Sequence, residues 1–224
     1  MGRETEIKLR VESIAEFRKK LRRVGARIIA RGSGRVHEWN TLYDTKAADL
    51  RGRDELLRIR METATAGSSA KARKKRFLLT FKGPVRAEGA AGETHPAQRD
   101  PIGGNHKVRE EIELEVGDAK ALGTIFARLG MWESFHYEKY RTTFRMPKSA
   151  RWANGLFIEV DETPIGNFVE LEGPSKAIDR AARLLGFSKE QYIVTNYLQL
   201  YAKDCMRRGE KVSDMVFRKK KRGA

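Results

Sequence analysis

A lone cysteine, Cys205, is the whole thiol inventory of this chain, so an internal disulfide and a thiolate zinc cluster are both excluded. Long apolar runs are missing as well. No stretch approaches the ~18 uninterrupted apolar residues of a membrane-crossing helix, and no apolar signal core precedes the first charged segment. A soluble cytoplasmic protein without membrane attachment is the expectation. Histidine is scarce. Of the four present, His95 and His106 sit in a Gly-, Ala- and Pro-rich stretch where no acid or cysteine completes a ligand set. Negative charge is the minority, with 30 acids against 46 lysines and arginines and a net charge of +16. That excess calls for an anionic partner: nucleic acid, a nucleotide, polyphosphate or an anionic surface. Part of it is concentrated in two runs, residues 71–76 and 218–222.

What the chain does have is repetition. "ETEIKLRVES" at 4–13 aligns with "REEIELEVGD" at 109–118 at a constant offset of 105, and Val24-Gly25 falls on Leu129-Gly130 at the same offset. Each copy reads as a strand and then a helix, with Ser13 or Asp118 as the N-cap and Gly25 or Gly130 as the stop. "LTFKGP" at 79–84 and "VELEGP" at 169–174 end later strands with Gly-Pro. The chain therefore reads as two similar β-α-β-β-β halves with closing helices at about 175–186 and 188–207. Period-2 patterning dominates, which predicts an antiparallel α+β fold. Residues 1–207 form one expected domain, interrupted by loop-like insertions at 64–74 and 86–106 and followed by a basic tail, 208–224.

The strands sort their charges by parity. One face collects Glu4, Glu6, Lys8 and Arg10; Arg58 and Arg60; Thr80 and Lys82; Arg109, Glu111, Glu113 and Glu115; Lys139, Arg141 and Arg145; Glu159 and Asp161; Glu170 and Glu172. The other face is mostly apolar, with Ile7, Leu9, Ile59, Ile112, Leu114, Ile158, Val160, Val169 and Leu171 among its members. A solvated face would mix in Ser and Gln, and here those are absent. An open sheet with one charged face in water satisfies the pattern; so does a closed barrel with its charges lining a tunnel. Buried charges of both signs need partners. Glu-x-Glu pairs suit hard divalent cations, and Lys and Arg suit phosphates, so a metal–triphosphate complements both sets.

Glu4-Thr-Glu-Ile-Lys8 resembles the ExExK signature of the CYTH family, the triphosphate tunnel metalloenzymes. The resemblance extends through Tyr43-Asp44-Thr45, Leu57-Arg-Ile-Arg60, Thr80-Phe-Lys82-Gly-Pro84, Arg109-Glu-Glu-Ile-Glu113, Lys139-Tyr-Arg141, Asp161 and Gly166-Asn-Phe-Val-Glu-Leu-Glu172. It implies an eight-stranded antiparallel β-barrel with helices packed outside. It implies also Mg²⁺ or Mn²⁺ held by Glu4, Glu6, Glu111, Glu113, Asp161, Glu170 and Glu172. Phosphates would be gripped by Lys8, Arg58, Arg60, Lys82, Arg109, Lys139 and Arg141, with Lys8, Arg60 and Lys82 acting on the reacting phosphoryl group. Tyr197 resembles a family position on the closing helix. The His-Phe pair that some class IV cyclases carry just before the signature is not seen ahead of Glu4. The implied activity is that of a class IV adenylate cyclase on ATP. The alternatives are a triphosphatase acting on thiamine triphosphate, inorganic triphosphate or a nucleoside triphosphate, and a non-catalytic polyphosphate-binding module. A dimer is the expected assembly, with weak polyanion contact through the basic tail.

Overall fold

In the computed structural model, which describes residues 2–29, 34–65, 75–86 and 106–218, the opening charged segment is strand β1 (Gly2–Val11). The other strands are β2 (Arg27–Ile28), β3 (Arg35–Thr45), β4 (Leu56–Ala64), β5 (Arg76–Lys82), β6 (Lys107–Val116), β7 (Met131–Arg145), β8 (Phe157–Thr163) and β9 (Gly166–Glu172). Their order is β7-β3-β4-β5-β6-β1-β9-β8, and β8 returns to β7. Every pairing is antiparallel, so eight strands close into the expected barrel. β2 is an added two-residue partner of β7, opposite Phe144 and Arg145.

Among the described residues five α-helices accompany the barrel: α1 (Ile14–Arg23), α2 (Asp49–Gly52), α3 (Ala119–Arg128), α4 (Ser175–Leu184) and α5 (Tyr197–Arg208). The repeat survives in the coordinates, because each bound of β6 and α3 lies 105 residues after that of β1 and α1. Ser13 Oγ accepts from Glu16 N at 3.3 Å, and Asp118 Oδ1 accepts from Ala121 N at 2.9 Å. Both helices stop at a glycine, Gly25 or Gly130, with φ of +80°, where a side chain would be strained. The expected helix over 188–207 is shorter. Lys189–Gln191 makes one 3₁₀ turn, Ile193 pairs with Lys8 of β1, and α5 starts only after Asn196, whose side chain caps Gln199 N at 2.8 Å. An Asn/Gln capping box fixes that start.

The apolar parity faces outward under helices. Ile7, Leu9, Ile158, Val160, Val169 and Leu171 pack against Phe17 and Leu21 of α1 and Ala177, Ile178, Ala181 and Ala182 of α4. Burial of each large side chain there contributes about 1.5–3 kcal/mol. Tyr43 and Ile59 pack under Phe126 of α3. Cover is not complete: Ile112 and Leu114 of β6 are 38% and 57% exposed. Charged-parity residues at strand ends also reach solvent, among them Arg10, Glu113, Glu115 and Arg145.

A third cluster joins inward-parity Leu42, Phe135, Tyr137 and Phe168 to Tyr197, Tyr201 and Cys205 of α5 and to Met215 beyond it. The segment expected as a basic tail thus begins with packed structure. Met215 is fully buried, its N–H donates to His136 O at 2.9 Å, and Glu138 N donates to Met215 O at 3.0 Å. Among the described residues no helix is long and apolar enough to cross a membrane.

Candidate active site

Inside the barrel the charged parity forms two linked networks around a cavity of about 1240 Å³. The first centres on Asp161 of β8. Its carboxylate accepts from Lys139 Nζ at 2.8 Å, from Arg141 Nε at 2.7 Å and from the Tyr197 hydroxyl at 2.7 Å. Arg141 also bonds Glu170 and pairs with Glu159. Lys8 Nζ lies 3.3 Å from Glu170 Oε1 and donates to Glu6 Oε1 at 3.0 Å. Burial would push Glu170 up, but Lys8, Lys139 and Arg141 hold it well below the carboxylate range. Tyr197, by contrast, is raised well above the usual phenol value, by burial and by Asp161.

The second network lies where β1, β5, β6 and β9 meet. Lys82 Nζ donates to both oxygens of Glu4, at 2.7 and 2.6 Å, and lies 3.2 Å from Glu111. Lys107 Nζ donates to Glu6 Oε1 at 2.6 Å. Among the described residues Glu172 has no cation within ion-pair distance: burial, then the neighbouring carboxylates of Glu159 and Glu4, push it up to about 8. Burial raises Glu159 to about 7, against the pull of Arg141 and with Glu170 and Asp161 adding to the rise. Glu4 is raised as well, by burial and then by Glu6.

Two guanidiniums stand apart. Arg58 donates to the Tyr137 hydroxyl at 3.0 Å and to Thr80 Oγ1 at 3.1 Å; Thr80 in turn donates to Glu113 at 3.1 Å. Arg109 donates to the carbonyls of Gly83 and Asp54, each at 2.8 Å. Among the described residues neither Arg58 nor Arg109 has a carboxylate within ion-pair distance, and Arg58 Nε is buried with no hydrogen-bond partner.

Every expected site residue except Asp161 lines the cavity, and Asp161 sits behind Lys139 and Arg141. Residues the sequence reading passed over are Glu38, Asn40, Lys107 and Tyr137. Glu38 is buried between Arg60 (3.4 Å) and Lys139 (3.6 Å); burial opposes its ionisation, yet Arg60, Lys139 and Arg141 bring it down to about 2. Asn40 Oδ1 accepts from Arg60 Nε at 2.9 Å and so aims that guanidinium. The signal was present, since Glu38, Asn40 and Leu42 alternate along β3 with Trp39 and Thr41. Among the described residues no group of three or more His, Cys, Asp or Glu side chains is arranged as a metal site as it stands.

The fold has counterparts. The sequence model of the CYTH domain matches residues 2–195. A protein of Methanocaldococcus jannaschii named "Putative adenylate cyclase" is 25% identical over 202 residues, covering 88% of this chain and 97% of its own. A Pyrococcus horikoshii structure superposes with a TM-score of 0.62 at 23% identity, covering 90% of this chain and 99% of that one. A Hippeastrum protein, for which a dominant triphosphatase activity is described, has a TM-score of 0.51 at 19% identity over 93% and 97% of the two chains. With a family match across most of its length and the closed charged barrel on which that family is built, the chain belongs to the CYTH domain family.

Proposed function

We propose that this protein is a divalent-metal-dependent enzyme acting on the triphosphate of ATP or a related organic triphosphate, in the manner of a class IV adenylate cyclase. The observation that carries the reading is the pair Arg58 and Arg109: buried cations without carboxylate partners among the described residues, facing one cavity with Lys8, Arg60 and Lys82. Isolated buried charge is costly, and a polyphosphate chain supplies the missing anions.

The donor chemistry fits a hard cation. Burial holds Glu4, Glu159 and Glu172 above the usual carboxylate range, with neighbouring carboxylates adding to each rise, and an oxygen-only set of this kind suits Mg²⁺ or Mn²⁺. Glu6, Glu111, Glu113 and Glu170 stand around them as further ligands or as counterions to the lysines. When bound, such a cation offsets phosphate charge and polarises a phosphoryl oxygen. Arg58 and Arg109 bind phosphate oxygens, and Arg60, held by Asn40, stabilises charge that grows as the bond to the leaving group breaks. Lys82 releases Glu4 as it turns to the substrate, and Asp161 keeps Lys139 and Arg141 in place. In the cyclase reaction the ribose 3′-hydroxyl attacks the α-phosphorus and pyrophosphate departs.

A triphosphatase is the second reading, supported by the Hippeastrum neighbour and by residues that grip the triphosphate rather than the leaving group. The full complement of acids argues for an enzyme over a passive binder. Incubation with ATP and Mn²⁺ separates the readings: cyclic AMP with pyrophosphate supports the first, ADP with phosphate the second. Turnover of no triphosphate would overturn both.

A further inference from the structure

The barrel wall has a seam. β8 pairs with β7 only from Tyr140 to Phe144, so the Met131–Lys139 part of that β7 edge receives no barrel strand. An open strand edge exposes unpaired N–H and C=O groups. The segment after α5 covers it. Met215 bridges Tyr137 in parallel register, Phe217 N donates to Glu138 Oε1 at 2.7 Å, and Asp214 Oδ1 accepts from His136 N at 2.8 Å. The Tyr201 hydroxyl of α5 donates to Asp214 O at 3.2 Å. The covering segment and α5 lie beyond residues 2–195, the span of the family match.

The segment is also part of the site. Val212, Ser213 and Asp214 line the same cavity as Arg58. At about 1240 Å³ that cavity exceeds the roughly 300–1,000 Å³ of ordinary small-molecule sites, and three phosphates alone would leave much of it empty. Its character changes from wall to wall. The strands contribute the buried lysines and arginines. Between 196 and 214 the lining residues are amides, apolar side chains, hydroxyls and one carboxylate, with no lysine or arginine. The segment itself offers a phosphate no cation. A flat ring finds apolar contact on Leu198 and Val212, and N–H groups on the ring find acceptors in Asp214 and Gln199. Asp214 is half exposed despite its bonds to His136, so its carboxylate keeps lone pairs for a ligand.

We propose that this C-terminal segment forms the subsite for the organic end of the substrate, a heteroaromatic group bearing N–H donors, with Val212 packing on the ring and Asp214 accepting from it. The proposal rests on the triphosphate reading above. It makes selectivity for an organic over an inorganic triphosphate a property of residues outside the family domain.

The test is calorimetric titration of the full chain, Val212→Asp and Asp214→Ala with ATP and with inorganic triphosphate, each with Mg²⁺. Val212 is 48% exposed, so its substitution leaves the unfolding midpoint unchanged and carries the test even if Asp214→Ala unfolds. Both variants are expected to weaken ATP about tenfold or more while inorganic triphosphate stays within about threefold. Parallel weakening of the two ligands, or no change in either, would overturn the subsite and leave the segment a structural seam. A wild-type chain that binds neither ligand would instead overturn the triphosphate reading, and the subsite with it.

Discussion

Arg58 Nη1 lies 3.0 Å from the hydroxyl oxygen of Tyr137, and that phenol, with Thr80 on the other side, holds the guanidinium by neutral oxygens alone. Arg141 is its opposite, bound on every side by Asp161, Glu159 and Glu170. Two arginines of the same barrel face therefore have different work.

Arg58→Ala should remove a contact made to substrate, of the kind worth on the order of 2–4 kcal/mol in the transition state. kcat/KM is expected to fall roughly 30- to 1000-fold with the unfolding free energy nearly kept. Arg141→Ala should instead strand Glu159, take one partner from each of Asp161 and Glu170, and cost about 3–5 kcal/mol of stability. Urea unfolding and steady-state kinetics on both variants decide it; a stable, inactive Arg141→Ala would reverse the assignment.

Glu172 and Glu159, raised to about 8 and about 7, predict a pH slope in the metal-free protein. Between the ordinary carboxylate value near 4.5 and about 8 the folded state holds protons that the unfolded chain has released. Stability should therefore fall as pH rises through that window, and Glu172→Gln should flatten the slope. Stability that rises from pH 5 to 8 would rule these raised carboxylates out.

Excess EDTA should abolish turnover, and Mn²⁺ should restore it. Mn²⁺ should also raise the thermal midpoint of the wild type, by binding these buried carboxylates in the folded state, and raise that of Glu172→Gln much less. Full activity in EDTA would remove the metal from the proposal.

Covered and uncovered parts of the outer face can be told apart by stability alone. Ile59→Asp, beneath α3, should lose at least about 2–3 kcal/mol, whereas Leu114→Asp, on the uncovered part of the same outer face, should stay within ~0.5 kcal/mol. Met215→Ala should cost about 2–5 kcal/mol because the side chain is fully buried. An unaffected Met215→Ala would mean that the C-terminal segment does not pack on β7 in solution.

By itself the sequence determined the strands, the duplication and the face each charge takes, since period-2 alternation, caps and glycine stops are local properties of the chain. Residues such as Glu6, Lys8, Arg60 and Glu170 were legible for that reason. Closure was legible only through the family resemblance, because an open sheet and a barrel share one parity pattern and differ only in whether β8 returns to β7. Glu38 and Lys107 became site residues only once β3 and β6 met their neighbours, where Lys139 and Glu6 supplied the opposite charge. The covering of Ile59 but not Leu114 followed from where α3 lands. The distinction between Arg58, left to neutral oxygens, and Arg141, saturated by acids, likewise belongs to tertiary structure: ion pairing depends on distances of 3–4 Å between strands far apart in sequence. The last such case is the C-terminal segment, basic in composition, whose Met215 finds its place only against an edge that the closed barrel leaves unpaired.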